Sequence, residues 1–99
     1  MTDYERKAML PEDQLAALLD DIPEWSRNGD RLERTFSFPN FTQAFGFMSS
    51  VALISERLFH HPEWSNVWGT VEIAVTNHDA GGLTELDIEF CRRVDALTA

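Results

Sequence analysis

The chain has 99 residues, 43% of them hydrophobic, with seven Phe and three Trp, enough to build the core of one domain spanning 1–99. Its formal net charge is −9, with 17 acidic residues spread along the chain, so the surface repels a phosphate backbone and nucleic acid is excluded as a principal partner. No apolar run reaches the length of a membrane span or a secretory signal, and the single cysteine, Cys91, leaves no disulfide and no thiolate cluster for a metal, which together predict a soluble cytoplasmic protein.

Residues 1–9 are polar, carry no periodic signal and are expected to be a loose terminus. A short helix is predicted from Pro11, because proline suits a first helical position and Glu12 and Asp13 suit the positive end of the helix dipole. Leu15, Leu18, Leu19 and Ile22 fall on one face of it, and Pro23 ends it. Asn28-Gly29 then supplies two positive-φ residues for a tight hairpin turn, so two antiparallel strands are expected to meet there. In the second strand, Leu32, Arg34, Phe36 and Phe38 alternate onto one face. Arg34 interrupts that apolar face, and the plain reading places it near a sheet margin with its head in water.

The longest helix is predicted to start at Asn40, an N-cap with Gln43 three residues on, and to run over 40–60. At 100° per residue Phe41, Phe45, Met48, Ala52 and Phe59 form one stripe and Phe47, Val51, Ile54 and Leu58 a second. Two stripes are more than one sheet needs, so one is expected to pack on the sheet and the other on a partner subunit. His60 is read as projecting from the polar side, beside Glu56, where a carboxylate favours the protonated ring; the plainer alternative has it satisfying the last helix carbonyls.

Proline disfavours a helical conformation at the residue before it, so the pair His60-His61 before Pro62 should stand where the helix ends and a cleft begins. Strand material follows over 67–77, divided by a turn near Trp68-Gly69, with Val71, Ile73 and Val75 inward and His78 sharing the outer face of Thr76. Thr84 and Asp87 cap a last helix with Leu83, Leu86, Phe90, Val94 and Leu97 inward and Cys91 as inert packing. The order α-β-β-α-β-β-α specifies an α+β fold, a four-stranded antiparallel sheet with three helices on one face.

Three readings compete for His60, His61 and His78. A metal site lacks a helical His-x-x-x-His or a cysteine pair, and a nucleophilic triad lacks a serine elbow. Proton transfer to a bound flat substrate fits best, with Trp64 or Trp68 as a wall of the cleft.

The pattern Glu56-x3-His60-His61-Pro62-x5-Trp68-x9-His78-x8-Asp87 resembles the signature of the pterin-4a-carbinolamine dehydratases. The segments Phe45-Gly46-Phe47-Met48, His61-Pro62-Glu63-Trp64 and Gly82-Leu83-Thr84 are similar to that family too, and the likeness runs from about Leu10 to Leu97. It departs at Phe59, where many members carry a small or polar residue, and at Leu86, where some carry a basic one. The resemblance implies dehydration of 4a-hydroxytetrahydropterin to quinonoid dihydropterin, in recycling the cofactor of aromatic amino acid hydroxylases. It implies His60, His61 and His78 as catalytic residues, with no metal and no cofactor beyond the pterin substrate itself. The substrate loops would be His60 to Pro62 and Asn77, His78, Asp79 and Ala80, with Glu56 and Asp87 tuning the histidines and Trp64 walling the pocket. A homodimer or homotetramer through the long helix is implied as well. The rival reading keeps the scaffold and drops the chemistry: a dimerising protein-interaction module.

Overall fold

The computed structural model describes residues 3–99, with side-chain surroundings from Glu5 onward. Helices α1 (Asp3–Arg6) and α2 (Glu12–Leu19) lead into strands β1 (Ser26–Asn28) and β2 (Arg31–Ser37), followed by α3 (Phe41–Leu58), strands β3 (Glu63–Val67) and β4 (Thr70–Val75), and α4 (Glu85–Ala96). The four strands form one antiparallel sheet in the order β1-β2-β4-β3, and α2, α3 and α4 are the three expected helices. Among the described residues no helix is long and apolar enough to cross a membrane. Of the stretch expected to be loose, residues 1 and 2 lie outside the described residues, while α1 adds one helical turn and Met9 forms a bridge to Thr84.

Strand register follows from the alternation of side chains. Leu32 pairs with Val75, Arg34 with Ile73 and Phe36 with Val71, which puts all the apolar members on the helix-covered face. Phe47 of α3 meets Phe36 and Phe38 at ring-centroid distances of 4.6 and 5.0 Å, and Trp25 meets Phe36 and Phe90 edge-on. One aromatic cluster therefore ties the first hairpin to both long helices.

Several expectations shift by a residue or two. The first hairpin turns on Gly29-Asp30, because Asn28 pairs with Arg31 and Gly29 alone takes a left-handed φ, +62°. A two-residue turn of this kind needs glycine at its first position, which moves the register one residue on. At the second hairpin the close approach falls on Gly69, where a Cβ would sit 2.3 Å from the Phe38 carbonyl oxygen, so the left-handed residue is Trp68. Pro11 is the N-cap of α2 rather than its first residue, and α2 ends at Leu19, ahead of Pro23. In α4, Leu97 lies past the last turn and is exposed, whereas Ile88 and Cys91 join the core.

Arg34 does not stand at a sheet margin. Its strand is internal, and its guanidinium donates to Asp95 Oδ1 at 2.6 Å while lying 4.3 Å above the Phe36 ring. The same carboxylate oxygen accepts from Trp25 Nε1 at 2.7 Å, so a cation on an apolar face is matched by an acid from the covering helix.

The long helix buries the stripe of Phe47, Val51 and Leu58, with Ile54 partly covered, and leaves Phe41 and Phe45 about half exposed. Met48 and Ala52 are half-buried beside them. Phe59 drops out of that second stripe. It lies beyond the helix with φ 51°, its N–H on the Glu56 carbonyl, and the His60 N–H reaches the Ser55 carbonyl. These two bonds make a Schellman cap, with Phe59 in the position that glycine usually takes.

Candidate active site

The reversal at Phe59 decides where the adjacent histidines point. His60 turns inward, is 8% exposed, and its Nε2 bonds Asp87 Oδ1. His61 stays outside, with Nε2 2.5 Å from Glu56 Oε1. The expected pairing of Glu56 with His60 is thus corrected: it assumed a helix continued to residue 60, but the left-handed step moves Glu56's partner on to His61.

Asp87 serves two ends at once. Its Oδ2 accepts from the Thr84 N–H at 2.8 Å and from the Thr84 hydroxyl at 3.1 Å, closing a capping box at the start of α4, and its Oδ1 holds His60. The carboxylate is fully buried, so these bonds fix its orientation and that of the imidazole. A carboxylate oxygen accepts, so the His60 Nε2 carries the hydrogen and Nδ1 is left without one. Among the described residues no buried side-chain nitrogen or oxygen lacks a hydrogen-bond partner, and Nδ1 has none, so solvent reaches Nδ1.

His78 is 82% exposed at the side chain, with Nε2 3.8 Å from Glu63 Oε2, beyond hydrogen-bond reach but within ion-pair distance. The same Glu63 oxygen accepts from Arg31 Nη1 at 2.9 Å. Each of the three histidines therefore has a carboxylate of its own, supplied by Asp87, Glu56 and Glu63.

The loops after α3 and β4 leave the sheet at the same end. Glu63 pairs with Ala74, so each step back along β3 is a step forward along β4, and continuing that register sets His60 opposite Asn77. Pro62 has no N–H to extend the ladder, and a cleft of about 280 Å3 opens between the two loops. Phe59 and His60 line it from the first loop and Asn77, Asp79 and Ala80 from the second, with Leu86 of α4 and Lys7 completing the lining. The Asn77 side chain accepts from the Ala80 N–H at 3.2 Å and holds its loop in shape.

Of the residues singled out from the sequence, the structure brings His60, Asn77, Asp79 and Ala80 to this cleft, with Asp87 behind His60. His61, half-buried Pro62 and His78 stand on the flanking loops, with Glu56 reaching His61 from the last turn of α3. Trp64 pairs with Ile73 and lines a separate trough on the sheet. Sequence reasoning missed Glu63 as the partner of His78 and Lys7 as lining. The hairpin register was the available signal for Glu63; for Lys7 there was none. Cys91 is fully buried, and burial, reinforced by Asp95 and Asp87, pushes its thiol well above the ordinary value, in keeping with inert packing.

Comparison with known proteins places this geometry among relatives. The family model described as pterin 4 alpha carbinolamine dehydratase matches residues 8–97. A relative from Bradyrhizobium sp. (strain ORS 278), provisionally named a pterin-4-alpha-carbinolamine dehydratase, is 51% identical over 86 residues, covering 85% of this chain and 86% of its own length. One from Synechococcus sp. (strain WH7803), also provisionally so named, is 43% identical over 90 residues, covering 91% and 97%. Among solved structures, a transcriptional coactivator/pterin dehydratase from Brucella melitensis superposes with a TM-score of 0.86 at 35% identity, covering 92% of this chain and 99% of that one. A pterin dehydratase-like protein identified as a RuBisCO assembly factor in the alpha-carboxysome superposes with a TM-score of 0.64 at 26% identity, covering 76% and 87%.

Proposed function

The chain belongs to the pterin 4 alpha carbinolamine dehydratase family, and from that premise we propose that it removes water from 4a-hydroxytetrahydropterin to give quinonoid dihydropterin. In this reaction the C4a–O bond breaks as a C4a=N5 double bond forms, N5 loses its proton, and the hydroxyl gains one and leaves as water. Imidazoles suit both transfers near neutral pH.

The observation that carries this reading is the buried His60–Asp87 pair beside the cleft, with Nε2 held and Nδ1 open to solvent. His60 and His61 assist departure of the hydroxyl, while His78, on the facing loop, orients the ring and takes the N5 proton. Asp87 and Glu56 hold their histidines in one tautomer and orientation. Asn77, Asp79 and Ala80 supply the wall from the second loop, and Pro62 shapes the approach. The pterin is substrate, and the reaction calls for no resident cofactor or metal.

On the same reading the protein is cytoplasmic, serves tetrahydropterin recycling beside an aromatic amino acid hydroxylase, and assembles as a homodimer or homotetramer through the exposed Phe41 and Phe45 face of α3. A second reading, a protein-interaction module without catalysis, is favoured by one observation: a solved relative with this fold is described as an assembly factor. The two are separated by following dehydration of chemically generated 4a-hydroxytetrahydropterin by absorbance near neutral pH. Wild type should exceed the spontaneous rate, and His61→Ala should lose that excess while its oligomer persists. No acceleration by folded wild type would select the interaction module.

A further inference from the structure

Phe59 and Leu86 both line the His60 cleft. Phe59 is 81% exposed and held in the left-handed region at φ 51°, two features that a helix cap alone does not call for. Leu86 is buried and in α4 adjoins Asp87, the residue that holds His60. The cleft therefore carries two apolar side chains, one exposed and one buried, among lining residues that include the imidazole.

In the pterin, N5 lies between C4a and C6. The substituent on C6 is two bonds from N5 and three from C4a, so whichever proton His60 handles it falls near the residues beside His60. We infer that Phe59 and Leu86 form an apolar wall that selects pterins with a short apolar C6 substituent over those with a polyhydroxylated one, Phe59 being the specificity-determining residue. The inference rests on the dehydratase reading. A hydroxylated chain laid against Phe59 and Leu86 loses water from its hydroxyls and gains no partner from those two side chains, whereas a methyl group gains contact.

The test compares 4a-hydroxytetrahydropterins bearing 6-methyl or 6-(1,2-dihydroxypropyl) groups, with wild type and with Phe59→Asn. Asparagine accepts the left-handed backbone, so the cap is kept and only the wall is removed. Wild type should favour the 6-methyl substrate by about tenfold in kcat/KM. Phe59→Asn should bring the ratio close to one, with the loss in KM rather than kcat. A wild type without preference, or a variant that keeps it, overturns the inference. If wild type accelerates neither substrate, the dehydratase reading fails by itself, and calorimetry with the unreactive oxidised 6-methylpterin and biopterin decides the wall. Preferential 6-methylpterin binding that Phe59→Asn abolishes upholds it; equal binding, or none, overturns it.

Discussion

At residue 59 the backbone takes a conformation that costs an L-residue roughly 1–2 kcal/mol, and nothing in the cap requires a side chain there. Replacing Phe59 by Gly should therefore stabilise the fold by about 1 kcal/mol, part of the relief being offset by glycine's greater unfolded freedom. For a domain of this size that is a rise of about 4–8 °C in Tm, measurable by calorimetry. A fall in Tm would mean that the exposed ring makes a stabilising contact in solution. The same left-handed step explains what was legible at this scale. The three histidines and Asp87 could be picked out by type and spacing, but a helix continued at 100° per residue gives His60 the wrong carboxylate, and only the reversal at Phe59 turns it toward Asp87. Asp87→Asn should expose that dependence. The amide oxygen can still accept from the Thr84 N–H, but its NH2 now faces His60 and forces Nε2 to accept, leaving the proton on Nδ1. The expected outcome is a kcat lower by about 10²-fold or more with α4 still formed. It is read from single-turnover rates beside circular dichroism, and an unchanged kcat would remove the tautomer from the mechanism.

At the level of elements, α4 is fastened to the sheet near its C-terminal end by Asp95, which gathers Arg34 of β2 and Trp25 ahead of β1. Arg34 and Asp95 are three-quarters or more covered, so Asp95→Ala leaves a guanidinium and an indole N–H without their acceptor. The cost should be about 2–3 kcal/mol, seen as a lower urea midpoint with an unchanged m-value. A cost below about 0.5 kcal/mol would show that water replaces the carboxylate freely. Alternation alone put Arg34 on the apolar face, yet its partner lies 61 residues away and no local rule reaches that far. The turn at residues 29–30 failed for a different reason. Asn-Gly and Gly-Asp both satisfy turn chemistry, and the pairing of Asn28 with Arg31, with glycine at the first turn position, selects the second.

For the whole molecule, helix periodicity carried further than any single residue, because the two stripes on α3 differ in cover: one closes the core, and the other is half exposed at Phe41 and Phe45 while Met48 packs against the core. Phe47, Val51 and Leu58 close the core, while Phe41 and Phe45, 5.6 Å apart between ring centroids, remain half in water with Met48 and Ala52 continuing the row. Two adjacent phenyl rings on a helix face are a poor surface for an isolated subunit, and a second copy placing its own stripe there would bury both. Phe45→Asp puts a charge in the middle of that row without touching the core. Sedimentation of wild type should then show a dimer or tetramer at micromolar concentration and the variant a monomer, with the circular dichroism of the two the same. The His60 cleft is built from one chain's loops and helix N-terminus, so turnover per subunit should fall far less in Phe45→Asp than in His61→Ala. A monomeric wild type would instead leave the two-stripe helix without its partner, and would make the exposed face a surface for some other protein.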